Sequence, residues 1–287
     1  MSSKAVAWTL LAAIALAAIL LLNYWASFQP LSTLAYSGIV LALGGLANLV
    51  LPFRFLGIRK RAVGAVILAG GVGLAITALL WPAPMIRVAQ HRTALDDVMP
   101  EYQFSERHSA RVHAPPEQAL QAVRQATFGD MKSLITLLKI RGAVLRAPYQ
   151  DTGDFSQDRL VLEAFSASGY LSGGSEHEIV MFGVGNVRPI RRPEVRTVQE
   201  FADYREQGAA KMAFNFHVEE AGAGWSTIST ETRMVVQDDF SRGPAVYWRL
   251  IVPGSGLLRR QWLEGIKKRA ERGSTELRPS EALRHSQ

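Results

Sequence analysis

Apolar and small residues run from Ala5 to Leu22 with Thr9 as the only polar side chain. A second such run covers Ala35 to Phe53, broken mildly by Ser37 and Asn48, and a third covers Ala62 to Trp81 and stops at Pro82 and Pro84. A hydrocarbon layer of about 30 Å is crossed by about 20 helical residues. The pattern therefore predicts three transmembrane helices, at about 5–23, 35–53 and 62–82, forming an all-α unit over residues 1–83. A cleavable signal would carry a shorter apolar stretch, of about 7–15 residues, and a small-x-small site. Neither is found, so the first helix is expected to be retained. Tyr24, Trp25 and Phe28 follow it where an interfacial aromatic belt belongs. Gly38, Gly44, Gly45, Gly64, Gly70, Gly71 and Gly73 crowd the second and third runs, and small residues let membrane helices approach closely.

The pattern changes after residue 83. Residues 84–104 show no period and read as a linker. Ser105 to His113 has a strand's composition and is ended by Pro115-Pro116, where proline suits a first helical turn. Ala119, Leu120, Val123 and Ala126, then Met131, Leu134, Ile135 and Leu138, recur at helical spacing. From Leu160 the period falls to two: a strand is expected at Leu160–Phe165, another at Ile179–Val184. Met212, Phe214, Phe216 and Val218 then pair as a hairpin with Ile228, Thr230, Thr232 and Met234 across an Ala221-Gly222-Ala223-Gly224 turn. A final helical region covers about Ser241 to Arg272, with a kink or break expected at Pro253-Gly254-Ser255-Gly256. The polar tail 273–287 is expected to be disordered.

Charge sharpens this division. The net charge is +7, but residues 1–83 contain Lys4, Arg54, Arg59, Lys60 and Arg61 and no acid, leaving 27 basic and 25 acidic side chains beyond. The excess is a topology signal and not a polyanion-binding surface, so no nucleic-acid partner is expected. The basic loop between runs two and three belongs in the cytoplasm with Lys4, which places the N-terminus inside and residues 84–287 outside. Without cysteine there is no disulfide, thiol nucleophile or cysteine-held metal.

Val112-His113-Ala114-Pro115-Pro116-Glu117 resembles the V-x-A-P-P-E entry from first strand to first helix in the START/Bet v 1-like (SRPBCC, polyketide cyclase-like) superfamily. Ser229-Thr230-Glu231-Thr232-Arg233 resembles that superfamily's penultimate element, and Tyr247-Trp248-Arg249-Leu250 with Pro253-Gly254-Ser255-Gly256 resembles its final helix. The resemblance covers about residues 105–272. It implies an α+β helix-grip fold, an antiparallel sheet wrapped around a long C-terminal helix with an apolar cavity between them. The three added helices and a long polar stretch between Arg188 and Gly208 depart from a minimal member.

Chemical motifs are sparse. Asp151-Thr152-Gly153 lacks the second carboxylate element of an aspartic protease and reads as a turn. Glu176-His177-Glu178 lacks the second histidine of a zinc helix. His108, His113 and His217 read as surface or hydrogen-bonded residues. Gly183-Val184-Gly185-Asn186 lacks the third glycine and the helix of a dinucleotide loop. Ser172-Gly173-Gly174-Ser175 is no nucleophile elbow. No metal, cofactor or catalytic set is expected.

What remains is apolar. Leu160, Leu162, Phe182, Met212, Phe214, Phe216, Ile228, Met234, Trp248 and Trp262 are the candidate cavity lining for a lipid or other hydrophobic molecule. Arg188, Arg191, Arg192 and Arg196 are candidates for contact with anionic headgroups. The expected function is a membrane-tethered binding domain. The alternatives are a cyclase/dehydratase-like enzyme, against which counts the placing of Glu163, His217, Glu231 and Arg233 on polar faces, and a membrane interaction module.

Overall fold

The computed structural model describes residues 17, 18, 21, 24, 29–50, 60–145, 155–186, 193–236 and 242–282. The first predicted membrane helix, the turn at 151–153 and the Arg188–Arg192 cluster lie largely or wholly outside them. Two compact units result. One comprises Met1–Ala83 with Ala245–Pro253, and the other Pro84–Pro244 with Gly254–Gln287.

In the first unit, α1 (Pro30–Val50) and α2 (Arg61–Leu80) are both long and apolar enough to cross a membrane. Their polarity is inverted relative to a soluble helix pair. Val40, Leu43, Leu46, Val66, Val72 and Ile76 are exposed, while the buried positions are Ser32, Ala35, Gly38, Gly45, Asn48, Gly64, Gly71, Ala75 and Ala78. A Cβ at Gly38 would stand 2.5 Å from the Ala75 nitrogen, and one at Gly71 2.4 Å from the Ala42 nitrogen. The seam is thus backbone against backbone, as the glycine pattern predicts. Gly44, Gly70 and Gly73 face open space and take no part in it.

The second unit is α+β. Its strands are β1 (Ile86–Arg87), β2 (Glu101–Tyr102), β3 (Phe104–Val112), β4 (Leu171–Ser175), β5 (Glu178–Asn186), β6 (Ala209–Glu220) and β7 (Ser226–Val236). β1 and β2 pair alone, and the others form an antiparallel sheet in the order β3-β7-β6-β5-β4. The helices are α3 (Ala94–Val98), α4 (Pro116–Arg124), α5 (Leu134–Leu145), α6 (Val161–Ala167), α7 (Val198–Asp203) and α8 (Arg242–Ala282).

Three expectations need correction, and one strand is added. Leu160–Phe165 is no strand, because Val161–Ala167 is helical with Val161 and Ala164 buried. Apolar side chains occupy so many consecutive positions there that both periods fit, and tertiary packing decides. The Ser172–Ser175 segment forms edge strand β4, and it turns into β5 through Glu176-His177. Gly174 takes φ +139°, with the Glu178 carbonyl where a Cβ would sit, so only glycine fits. The stretch 84–104 carries α3 and the β1–β2 pair in place of an unstructured linker. A capping box between Thr93 and Asp96 starts α3, and Leu95 and Met99 anchor it in a core. Finally, α8 runs through Pro253 without a break. The proline forfeits one backbone hydrogen bond, and the apolar stripe beyond it, with Trp262, Leu263, Ile266 and Ala270 buried, holds the helix in register.

Alternation along the strands separates two cores. One face of the sheet presents Ile179, Met181, Phe214, Phe216, Val218 and Ile228 to α4 and to the Leu258–Ala270 stretch of α8. The opposite face presents Val180, Phe182, Val184, Ala213 and Val235 to α3 and to Val195, Phe201 and Tyr204. The sheet is therefore covered on both sides.

Candidate functional site

The α8 side of the sheet is not wholly apolar. β3 pairs with β7 so that Glu106 lies opposite Thr232 and His108 opposite Thr230. All four side chains share the face of Phe104, Val112, Ile228 and Met234, and all four residues are buried. His108 Nε2 and Glu106 Oε1 are 2.9 Å apart. Above them, Arg259 of α8 donates from Nη1 to Thr230 Oγ1 at 3.0 Å and from Nη2 to Thr232 Oγ1 at 2.6 Å. Its guanidinium carbon lies 4.6 Å from the centre of the Phe214 ring and 5.3 Å from that of Trp262. Burial pushes the Arg259 guanidinium down to about 10, with Glu106 and Tyr170 pulling the other way.

An aromatic wall adjoins this cluster. Phe214 and Phe165 meet edge to face with centroids 4.9 Å apart, and Phe216 and Trp262 at 4.6 Å. Packing loosens along α8 toward its N-terminal side. Trp262, Leu263 and Ile266 are buried, whereas Leu257, Leu258 and Arg259 keep accessible surface. So does Met212 on β6, a strand flanked on both sides by others. Met212 and Leu258 are half-buried and pack against this core. Arg259 is a half-buried charged donor at the margin of an apolar layer, with neutral hydroxyls as its bonded partners.

Two polar atoms in the layer stay unsatisfied. Among the described residues, Glu106 Oε2 and Trp262 Nε1 are buried and find no hydrogen-bond partner. Burying such an atom without a partner costs about 1–3 kcal/mol, so the layer holds an acceptor and a donor that await partners.

Of the predicted lining residues, Phe214, Phe216, Ile228 and Trp262 meet in this core, with Met212 and Leu162 packed against it. Leu160 precedes α6, where it bridges to Thr127. Met234 shares the face, one register step beyond Thr232. Phe182 points the other way and packs on Phe201, with centroids 5.1 Å apart. Trp248 belongs to the first unit, where its Nε1 donates to Gln29 Oε1 at 3.2 Å. Beside it, buried Arg249 donates to the carbonyls of Leu79 at 2.5 Å and Trp81 at 2.6 Å, satisfying groups that the end of α2 leaves open. Tyr36 donates to the Leu250 carbonyl. Arg196 is exposed and paired with Glu194 at 3.1 Å.

The polar residues on the second face are structural. Glu178 accepts from the Ala94 nitrogen at 2.6 Å, the Leu95 nitrogen at 3.2 Å and Asn215 Nδ2 at 2.6 Å. Arg233 bonds Asp96 at 2.7 Å, Glu231 at 2.6 Å and the Met99 carbonyl at 3.0 Å. These contacts clasp α3 onto the sheet.

The ionisable groups of the site were missed, although their signal was present. Phe104, Glu106, His108, Ala110 and Val112 alternate with Ser105, Arg107, Ser109 and Arg111, so Glu106 and His108 sit on the apolar register. Arg259, Trp262 and Ile266 likewise fall at helical spacing on one stripe. Comparison with family models, with curated proteins and with solved structures gives no match.

Proposed function

We propose that the chain is a membrane-anchored binding domain of helix-grip type, held by three N-terminal helices, that accommodates an amphipathic molecule between α8 and the sheet. The ligand's polar head lies at Arg259 and its apolar part along Met212, Phe165 and Leu258. The observation that carries this reading is Arg259: a charged donor that keeps accessible surface inside an apolar layer, stacked on aromatic rings, with hydroxyls in place of a carboxylate partner. Two helices of membrane-crossing length in the same chain support a ligand that resides in the bilayer. The basic loop preceding Arg61 supports a cytoplasmic position for that loop and an extracytoplasmic one for the α+β unit.

The test is native mass spectrometry of the full chain in nanodiscs of defined lipid. The expected result is a retained adduct of lipid or fatty-acid mass that Arg259→Met loses. A clean mass, with no uptake from added amphiphiles, would refute the reading. Because the chain has no cysteine, Gly57→Cys and Glu117→Cys can report topology without background. A thiol reagent that cannot cross membranes should label Glu117→Cys in intact cells, and Gly57→Cys only after permeabilisation.

A cyclase/dehydratase-like activity of the same fold is the second reading. It is favoured by the presence of Glu106 and His108, two ionisable groups, on the interior face. Turnover of a bound amphiphile, lost in Glu106→Gln with binding kept, would establish it.

A further inference from the structure

Glu106 offers more than a wall to the interior. Its side chain is 1% exposed, Oε1 is engaged by His108, and Oε2 has no hydrogen-bond partner among the described residues. A core carboxyl with a structural role alone would have both oxygens satisfied, as Glu178 and Asp96 do on the other face of this same sheet. Glu106 stands opposite Thr232, a cross-strand neighbour at a Cβ separation of about 4.5–5.5 Å, and Arg259 holds the Thr232 hydroxyl. The open acceptor and the guanidinium thus belong to one cluster, joined through Thr232. Trp262 Nε1, on the helix turn after Arg259, is an open donor in the same layer.

We infer that Glu106 Oε2 is a specificity subsite for a hydroxyl group, and that the ligand is a single-chain amphiphile with an anionic head and a hydroxyl next to it. The anion meets Arg259, while the hydroxyl donates to Glu106 Oε2. An amphiphile lacking the hydroxyl leaves that oxygen buried and unpaired, and a site with such an acceptor discriminates against it. This inference rests on the binding reading above and adds the chemistry of the head. Carboxylate and phosphate both satisfy the guanidinium, so the anion can come from a hydroxy fatty acid or from a lysophospholipid.

The experiment compares two matched pairs on the full chain in nanodiscs by titration calorimetry. One pair is 3-hydroxytetradecanoate and tetradecanoate, and the other is lysophosphatidate and its 2-deoxy analogue. The hydroxylated member of at least one pair is expected to bind roughly 5- to 100-fold more tightly. The pair that discriminates identifies the anion. Glu106→Met should remove the preference, so that both members of the discriminating pair bind with equal affinity. Should that variant fail to fold, the wild-type comparison decides by itself. Equal affinity within both pairs would overturn the hydroxyl subsite and leave the binding domain standing, with a water on Glu106 in the hydroxyl's place. No binding by any of the four would overturn both.

Discussion

Asp96→Ala strips the clasp on the second face of the sheet. Asp96 Oδ1 accepts from Arg233 Nη2 at 2.7 Å, and Oδ2 accepts from the Arg92 and Thr93 nitrogens at 2.9 Å each. Leaving one member of a buried ion pair alone costs about 3–5 kcal/mol. Arg233 retains Glu231 and the Met99 carbonyl, so about 2 kcal/mol of that is expected. Loss of the cap adds about 1 kcal/mol. The sum of about 3 kcal/mol lowers the unfolding midpoint of a domain this size by roughly 6–12 °C. Asp96→Asn keeps an acceptor for the two nitrogens and should cost about 2 kcal/mol. Thermal unfolding of the full chain in micelles, followed by tryptophan fluorescence, measures both, and hydrogen exchange over residues 92–102 shows whether α3 has been released. An unchanged midpoint, with residues 92–102 as protected as in the wild type, would refute the clasp. Acid should act in the same direction. Burial raises the Asp96 carboxyl, but the bonds from Arg92, Arg233 and Thr93 and the Arg233 charge outweigh it and hold its pKa below the usual value. A depressed carboxyl contributes stability above its unfolded pKa and loses it as pH falls through the folded value, a window below about pH 4.

Further outcomes are expected elsewhere. Burial and the neighbouring Arg205 pull the Lys211 ammonium down to about 8, against Asp203 and Glu101. Its unfavourable contribution is therefore full below pH 8 and fades as pH rises toward the unfolded value of about 10.5. Lys211→Met should gain on the order of 1 kcal/mol at pH 7 relative to its effect at pH 10.5, in paired unfolding curves. Gly38→Ala and Gly71→Ala press a methyl into the opposing backbone and should each cost about 1–3 kcal/mol in a denaturing-detergent titration. Gly44→Ala and Gly70→Ala, which face open space, should cost nothing by the same assay. Arg249→Met should loosen the end of α2, read as faster hydrogen exchange near Leu79 and Trp81.

Much of the architecture was legible because period and burial agree where one face is apolar. β6 and β7 alternate cleanly, and their register puts Met212 opposite Met234 and Val218 opposite Ile228. Val161 fits a strand as well as a helix, because apolar neighbours blur the difference between periods of two and 3.6. α3 and β2 were missed because their stability comes from Arg233 and Glu178, far along the chain, and not from local pattern. The site was half legible. Its aromatic wall follows from hydrophobicity, whereas Glu106 and Arg259 were passed over because charged side chains are rarely buried without a close partner of opposite sign.

The clasp also sets a timetable. Asp96 and Arg233 stand 137 residues apart in the chain, and ribosomes add about 5–20 residues per second. For roughly 7–27 s after Asp96 is made, its partner does not yet exist. Leu95, Met99 and Tyr102 must wait with no sheet to cover. During that interval these apolar side chains stay exposed in the nascent chain.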